Sequence, residues 1–236
     1  MKILFDNEIL DSTITSTNDN ANYPASNLID LFLWTRYQAI GQTDTITIQL
    51  DVDIDASCFF YSYNNLTQMV IRFYDLYDNL LHTETISEVY DEDAIYFTLV
   101  EDINYIQIDV TTDQTNAYLG GAAFGIAEDF GDVFSVWDDE PQDNSIVTDS
   151  DSGQSTQNYN KPLMAYNFSF YDLTNNEKLY FQELYKETGI GGHVWADPFE
   201  DNHDYMVPMY ATLRSTIAPV KNGRRFNISL RLREAR

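Results

Sequence analysis

Cysteine is nearly absent from this sequence, which has 236 residues and one cysteine, Cys58. A single thiol cannot form an internal disulfide, and it cannot supply the several thiolates of a structural zinc site. Cys58 lies at the start of an apolar run that extends to Tyr63. The sequence therefore predicts a small buried thiol at this position and not a reactive nucleophile.

Basic residues are also scarce, because 13 Lys and Arg stand against 38 Asp and Glu, a formal net charge of −25. A field of this sign repels phosphate backbones and anionic lipid head groups. We therefore expect no nucleic-acid partner and no binding of the whole chain to a membrane surface.

Long hydrophobic runs are missing as well. No apolar stretch approaches the roughly 20 residues that span a bilayer, and Met1–Leu10 lacks the apolar core of a signal peptide. The sequence predicts a soluble chain that is made without a cleaved leader and is not inserted into a membrane. Hydrophobic residues at 44% and aromatic residues at 14% are nevertheless ample for packed cores.

The charges that are present divide the chain. Residues 1–136 contain 23 acidic and three basic residues, whereas residues 214–236 contain seven basic residues and one acidic residue. Between them, residues 138–160 are rich in Asp, Ser, Gln and Asn, a composition that buries little surface. We predict two domains, 1–133 and 134–236, with residues 138–160 as an acidic linker or exposed loop in the second.

The dominant pattern is an alternation of apolar and polar residues. Segments with the two-residue period of a half-buried strand are Thr45–Asp55, Ile106–Val110, Tyr166–Phe170, Tyr205–Leu213 and Phe226–Leu232. Strands that are solvated on one face are typical of antiparallel sheets stacked face to face. The predicted fold class is mainly β, with two antiparallel β-sandwich-type domains.

One segment has the signals of a helix. Thr174 and Glu177 have the spacing of a capping box, and Leu179, Leu184 and Tyr185 follow at helical spacing. A glycine at 189 suits a left-handed C-terminal cap. We predict one short amphipathic helix over residues 175–188, packed on the second sheet.

The candidate metal sites in the sequence do not have the required geometry. Asp51, Asp53 and Asp55 alternate on one strand, where their Cα atoms are about 6.7 Å apart. Oxygens that share a calcium ion are at most about 5 Å apart, so the three cannot converge. Asp149–Asn160 opens like an EF-hand loop, but its glycine falls at the fifth loop position and its last residue is Asn. We predict a solvated acidic strand face, a polar turn and no metal.

The candidate catalytic residues are similarly weak. The richest polar cluster, His193–Asp204, has two imidazoles and several carboxylates but no zinc-hydrolase spacing. It is more typical of a strand over His193–Ala196, a turn at Pro198 and a surface loop. Gly120-Gly121 and Gly189–Gly192 are more typical of turns than of phosphate loops. We predict no catalytic residue and no cofactor.

Aromatic residues are abundant, with 17 Tyr and 14 Phe. They suit sugar stacking, but more often they fill sandwich cores and subunit interfaces. Phe59, Phe60, Tyr61 and Tyr63 occupy both faces of one strand. We therefore expect a core to cover one face of that strand and another domain or subunit to cover the other.

The C-terminal arginines are unusual in so acidic a chain. Arg231 and Arg233 share one face of the predicted strand with Asn227 and Ser229, and Arg224 and Arg225 precede it. A solvated face is one interpretation. The other is a candidate interface at Arg224, Arg225, Arg231 and Arg233 that docks on an acidic surface of another copy. Head-to-tail contacts of this kind close into rings.

The N-terminal motifs carry a family resemblance. Tyr23-Pro-Ala-Ser-Asn-Leu-Ile-Asp30, then Trp34-Thr-Arg-Tyr37 and Thr45-Ile-Thr-Ile-Gln-Leu-Asp51, resemble a discoidin-like (galactose-binding-like) β-sandwich of the form common in bacteriophage virion proteins. The segments around Asn64-Asn65-Leu66, Met69–Tyr74 and Ala117–Phe124 extend the match over about residues 15–130. Residues 134–236 resemble the C-terminal half of the same tail-associated proteins. Discoidin-like modules often bind glycans through loops at one end of the sandwich.

The resemblance implies a non-enzymatic structural component of a phage virion, at the tail tip or baseplate, which is synthesised in the host cytoplasm. Its expected partners are other virion or tail proteins and further copies of itself in a ring. The alternative is a carbohydrate-binding module for host-surface glycans, with Trp34 and Asn64-Asn65 as the first residues to substitute. A hydrolase is the third alternative, and loss of turnover on substitution of Asp197 or Glu200 would indicate it.

Overall fold

The computed structural model describes residues 1–29, 35–130, 139–142, 146–149, 155–158, 163–199, 208–214 and 219–234. Over these residues the structure is mainly β, with antiparallel sheets and one α-helix, which confirms the predicted fold class. The chain forms two compact units, which are Met1–Asp129 with Val194–Tyr210 and Phe130–His193 with Ala211–Arg236. The sequence-based domain limits, 1–133 and 134–236, stay a prediction. In the structure, Val194–Tyr210 groups with the first unit.

In the described part of residues 1–129, the chain forms nine strands and one 3₁₀ helix, Ala25–Ile29. The strands are β1 (Lys2–Leu4), β2 (Thr13–Ser16), β3 (Tyr37–Gln38), β4 (Thr43–Asn64), β5 (Gln68–Tyr74), β6 (Leu80–Ile86), β7 (Glu92–Thr111), β8 (Tyr118–Gly125) and β9 (Glu128–Asp129).

Strand β4 folds over on itself. A straight strand of its 22 residues would have its ends about 70 Å apart, at about 3.3 Å per residue. Yet Thr112 reaches both ends, because its backbone N–H donates to the Gln42 carbonyl at 2.9 Å and its hydroxyl donates to the Asn65 carbonyl at 2.6 Å. The pairing of β4 with β7 shifts register between Gln49 and Cys58, which marks the bend.

The bend turns one pair of long strands into two packed layers. The first layer has the order β2, first half of β4, second half of β7, β5 and β6, and the second has β3, β8, second half of β4 and first half of β7. Between them, Phe59 stacks on Phe124 at 4.3 Å and Phe73 meets the same ring edge-on at 5.8 Å. The predicted alternation in the first layer is confirmed, since Ile46 and Ile48 are fully buried.

Val52 is the exception to the alternation. The sequence pattern points it inward with Leu50 and Ile54, but its side chain is 70% exposed. It lies in the bend, where β4 is out of register with β7. A period-two pattern describes a regular strand and does not carry across such an irregularity.

The prediction of cover on both faces of the aromatic strand holds for Phe59, Phe60 and Tyr61, which are all fully buried. Phe60 points away from the sandwich core, and its ring centre lies 6.1 Å from that of Trp195. Trp195 belongs to the same compact unit, and not to another domain or subunit as predicted. Cys58 shares this covered face and is buried, as predicted, and burial raises its pKa to about 12. Tyr63 does not follow the prediction, because it is 51% exposed.

The remaining strands and the helix follow residue 129. They are β10 (Asp139–Gln142), β11 (Ile146–Asp149), β12 (Ser155–Asn158), β13 (Leu163–Leu173), α1 (Asn175–Thr188), β14 (His193–Asp197), β15 (Met209–Leu213), β16 (Val220–Asn222) and β17 (Arg225–Glu234). Residues 205–207 of the predicted strand over Tyr205–Leu213 lie outside the described residues.

The second unit is built around β13 and β17. They pair antiparallel from Ala165 opposite Arg233 to Leu173 opposite Phe226, and β10, β15 and β16 flank them. The described residues of the acidic segment 138–160 form the short strands β10, β11 and β12, and β11 and β12 pair with each other. Backbone hydrogen bonds form such short ladders without a large apolar surface. The interpretation of residues 138–160 as a linker or exposed loop stays a prediction.

The helix begins and ends where the sequence predicts. The Thr174 hydroxyl accepts a hydrogen bond from the Glu177 N–H at 3.2 Å, and the Glu177 carboxylate accepts one from the Thr174 N–H, so both halves of the capping box form. Gly189 has the expected positive φ of 63°, but its ψ of −176° is not that of a left-handed cap.

The buried face of α1 differs from the predicted one. Phe181 and Leu184, three residues apart, are fully buried, whereas Leu179 is 48% exposed. Phe181 meets the rings of Phe130 and Phe170 at 4.6 and 4.8 Å. In the described part of the chain, no helix has the length and apolar character needed to cross a membrane.

Two of the glycines that the sequence assigns to turns lie inside a strand. Gly120 and Gly121 belong to β8. A Cβ at position 120 would lie 2.8 Å from the Cβ of Tyr63, so glycine is needed for the close approach of β8 to β4. Gly191 is a turn residue as predicted, with φ of 87°.

Candidate functional site

An open cleft lies at the end of the sandwich where both ends of β4 meet. Three connections form it: residues 39–42 before β4, residues 65–67 after β4, and residues 112–117 between β7 and β8. Hydrogen bonds join these connections, from the Ala117 N–H to the Gly41 carbonyl at 2.9 Å and from the Gly41 N–H to the Asn116 side-chain oxygen at 3.1 Å. These hydrogen bonds hold the loops around the cleft together.

The cleft is roomy and mostly polar. Its volume is about 610 Å³, which falls within the usual range for small-molecule sites of about 300–1,000 Å³. It is lined by one cation, one carboxylate, amide and hydroxyl side chains and one aromatic ring, which come from Arg36, Gln38, Gln42, Asn65, Asp113, Gln114, Thr115, Asn116 and Tyr118.

Arg36 is fixed against an aromatic surface. Its guanidinium carbon lies 4.3 Å from the ring centre of Tyr118 and 5.7 Å from that of Tyr23. The side-chain amide of Asn27 donates to the Arg36 carbonyl at 2.9 Å and so positions its backbone. A guanidinium held over a ring keeps its planar set of donors oriented in advance.

Several polar groups in the cleft are not used by the fold. Among the described residues, none accepts a hydrogen bond from the guanidinium of Arg36, and none bonds to the side chains of Gln38 or Thr115 or to the carboxylate of Asp113. Together they offer donors and acceptors of both charge signs. This is the chemistry that recognises a neutral or mixed polar ligand rich in hydroxyl groups.

Asn65, in contrast, positions the loops. Its amide nitrogen donates to the Asn116 carbonyl at 2.9 Å and to the Gln114 side chain at 3.2 Å, and its amide oxygen accepts from the Tyr118 N–H at 2.9 Å. Asn64 is occupied in a similar way, because its nitrogen donates to the Tyr90 carbonyl at 2.7 Å. The sequence-based choice of Asn64-Asn65 therefore identifies the right loop but residues that hold its shape. Trp34 lies outside the described residues.

A buried carboxylate lies at the start of β4, two residues after Gln42 of the cleft. Asp44 is 6% exposed and accepts hydrogen bonds from the hydroxyls of Ser16, Thr17 and Tyr37 and from the Thr45 N–H at 2.7 Å. Burial alone would raise the pKa of Asp44, but these hydrogen bonds together hold it below its ordinary value. Burial, followed by the bond to Asp44, raises the pKa of Tyr37. The network anchors β3, which carries Gln38, to the start of β4.

The structure describes only residues 193–199 of the polar cluster His193–Asp204. Asp197 is fully buried and accepts hydrogen bonds from the Tyr96 hydroxyl at 3.0 Å and from the Phe199 N–H at 3.2 Å. Burial lowers the pKa of His193. Residues 200–207, which include Glu200 and His203, lie outside the described residues.

The acidic strand face is solvated, as predicted. Asp51, Asp53 and Asp55 are all exposed, and two of them accept hydrogen bonds, Asp53 from the Asn104 amide at 2.8 Å and Asp55 from the Asp102 N–H at 3.1 Å. In the described part of the chain, no group of three or more acidic, His or Cys side chains has the arrangement to hold a metal ion. The EF-hand-like segment falls largely outside that part.

The four candidate interface arginines belong to the second unit. Arg224 and Arg225 are exposed at the turn between β16 and β17, and Arg231 and Arg233 are half-buried on β17. Ile228, Leu230 and Leu232 are buried between them, which confirms the predicted alternation. The interface role of the arginines stays a prediction.

The sequence did not single out the residues that line the cleft. Arg36 carried one available signal, because it is one of three basic residues in the first 136. Gln38, Asp113 and Thr115 carry none, since polar residues in loops are common and only the fold brings these together.

The sequence matches no family model and no curated protein. Among solved structures, the chain is similar to a mutant lectin-binding domain of lectinolysin complexed with Lewis b, at 11% identity and a TM-score of 0.46, over 52% of this chain and 99% of that one. It is also similar to a Streptococcus pneumoniae fucose-binding module, at 12% identity and a TM-score of 0.44, over 52% and 99%. A third is chitosan-binding module 1 from a chitosanase/glucanase of Paenibacillus sp. IK-5, at 17% identity and a TM-score of 0.44, over 50% and 98%.

Proposed function

We propose that the first unit binds a carbohydrate in the cleft at the end of its sandwich. The observation that carries this proposal is the set of polar side chains that the fold leaves unbonded there, Arg36, Gln38, Asp113 and Thr115, beside the Tyr118 ring. Planar guanidinium, amide and carboxylate groups bond pairs of sugar hydroxyls, and the Tyr118 ring holds the guanidinium of Arg36 in place.

The position and shape of the cleft support the same proposal. It is open at one side of a rigid sandwich, so the end of an extended glycan can enter without displacing the core. The discoidin-like resemblance in the sequence implies glycan recognition by loops at one sandwich end. The cleft is such a loop end, and it is formed within residues 36–118.

The experiment is a glycan array with the purified full chain, followed by calorimetry on the best ligand for the wild type and two variants. Arg36→Ala removes the positive charge of Arg36 from the cleft. Arg72→Ala is the matched control, because Arg72 lies on β5, does not line the cleft and forms an ion pair with Asp109 at 2.6 Å. We expect Arg36→Ala to weaken binding tenfold or more and Arg72→Ala to leave it unchanged. Absence of binding to every glycan, or equal affinity of the two variants, would contradict the proposal.

The virion role predicted from the sequence is a second, separate proposal. One observation favours an assembly surface, namely the exposed pair Arg224 and Arg225 in a chain of net charge −25. A tail or baseplate location, the virion partners and the ring all remain part of this proposal. Absence of enzymatic activity is likewise a prediction and does not depend on either proposal.

A further inference from the structure

A half-exposed tyrosine lies beside the cleft without lining it. Tyr63 is the next-to-last residue of β4, two positions before Asn65 of the cleft. Its ring centre lies 6.0 Å from that of Tyr118, which also lines the cleft. The two ring planes are inclined by 44°, so Tyr118 does not lie flat over the Tyr63 ring. Tyr63 is 51% exposed, and it therefore continues the surface of the cleft outward.

The backbone turns Tyr63 out of the sandwich core. Phe59 and Tyr61 precede it at two-residue spacing and are fully buried in that core, so a regular strand would bury position 63 as well. Instead, Tyr63 has a φ of 54°, in the left-handed region. This conformation costs free energy for a residue with a Cβ, and bulky residues rarely adopt it.

A glycine on the neighbouring strand makes room for this arrangement. Gly120 belongs to β8, and a Cβ at its position would lie 2.8 Å from the Cβ of Tyr63. Burial of the ring does not offset the backbone strain, because Tyr63 stays half-exposed. Strained residues that the surrounding structure holds in place cluster at ligand sites. Here the strain keeps an aromatic ring exposed next to the cleft.

We propose that Tyr63 forms a second carbohydrate subsite, so that the first unit binds chains of two or more sugars more tightly than single sugars. This proposal rests on the proposed function, in which the terminal sugar occupies the cleft. The next sugar then packs against the Tyr63 ring. Hexose rings carry C–H groups on their faces, and contact with an aromatic ring removes apolar surface of both from water.

The two subsites are adjacent through one shared ring. Tyr118 contacts the guanidinium of Arg36 at 4.3 Å and the ring of Tyr63 at 6.0 Å. Because Arg36 already packs on Tyr118, Tyr63 is the ring beside the cleft that stays available to a sugar. Its hydroxyl adds one hydrogen-bonding group to the same surface.

The test measures binding of the full chain to galactose, fucose, mannose and N-acetylglucosamine, and to glycans of two to four sugars that end in each of them. We expect the wild type to bind the best longer glycan about fivefold or more tightly than its terminal sugar alone. Tyr63→Gly should bring this ratio close to one and leave the affinity for the terminal sugar unchanged. Tyr63→Phe keeps the ring and should keep most of the ratio.

Tyr77→Gly is the matched control. Tyr77 is 81% exposed in the turn after β5, whereas the other end of β5 follows the cleft loop 65–67, so the ratio should equal that of the wild type. Glycine adopts a positive φ without strain, and Tyr63→Gly should therefore unfold at a temperature close to that of the wild type. Tyr63→Asn is a second variant without the ring, because asparagine also tolerates this conformation.

The results that overturn the second subsite differ from those that contradict the cleft. A ratio near one for the wild type, or a ratio unchanged by Tyr63→Gly and Tyr63→Asn, overturns the subsite even where Arg36→Ala weakens every glycan. An equal loss for single sugars and longer glycans, or a marked fall of the unfolding temperature in both variants, would show a structural role of Tyr63 and overturn it as well. Binding of no glycan contradicts both proposals.

Discussion

At the scale of single residues, the candidate site depends on the distinction between side chains that hold the loops and side chains that remain available. Asn65 uses both ends of its amide within the protein, whereas Arg36 directs its guanidinium over Tyr118 and into the cleft. The sequence shows both residues as polar. What separates the two roles is the hydrogen bonding of each side chain in the fold. The partners of Asn65 lie 51 to 53 residues away along the chain, so the sequence around Asn65 does not show them.

Asp44 leads to a prediction about pH and stability. Its folded pKa is lower than the usual value of an unfolded aspartate, about 3.9. The stabilisation by its hydrogen bonds is therefore fully present above about pH 4 and is lost as the pH falls through the folded pKa. We expect Asp44→Asn to lower the free energy of unfolding at pH 7 by about 1–3 kcal/mol and to flatten its acid dependence.

Urea unfolding between pH 7 and pH 3 measures both effects for Asp44. Asp51→Asn is the control, since this carboxylate is exposed on the strand bend. Its profile should match that of the wild type. Parallel acid profiles for all three proteins would show that Asp44 has no special contribution.

At the scale of elements, local sequence signals place the helix accurately but not its buried face. The capping box fixes the start of α1 because both of its hydrogen bonds form within four residues. Which side of the helix is buried depends on the sheet beneath it, and Phe130 and Phe170, which meet Phe181, come from other segments.

The helix face can be tested with a matched pair of alanine variants. Phe181 is fully buried, and its replacement by alanine should cost about 3–5 kcal/mol. Leu179 is on the same helix and 48% exposed, so Leu179→Ala should lower the free energy of unfolding by about 0.5 kcal/mol or less. Thermal and urea unfolding measure the difference. A larger loss for Leu179→Ala than for Phe181→Ala would support the face that the sequence pattern predicts.

At the scale of the whole molecule, charge is the dominant property. The net charge of −25 is combined with seven basic residues in the last 23 positions. Charge complementarity between copies acts mainly on association rate and on choice of partner, and salt screens it over about 10 Å at 0.1 M.

Assembly through the predicted arginine interface should therefore depend on salt concentration. If this interface drives assembly, oligomers should form at low ionic strength and should disperse towards 1 M salt. Arg224→Glu combined with Arg225→Glu should prevent their formation, because these two side chains are exposed. Lys178→Glu with Lys186→Glu gives the same change in charge on α1 and should have no effect. Light scattering across a salt series measures the size of the oligomers. Equal assembly of both double variants would contradict the interface.

The sequence by itself determined the strands with period-two patterning, the limits of the one described helix and the burial of Cys58, because these depend on neighbours a few residues away. The tertiary structure alone decided the fold-over of β4, the cover of Phe60 by Trp195 and the cleft around Arg36. A periodic pattern tells which face of an element is buried. What lies against that face, and which loops meet at its end, depends on contacts between residues far apart in the chain.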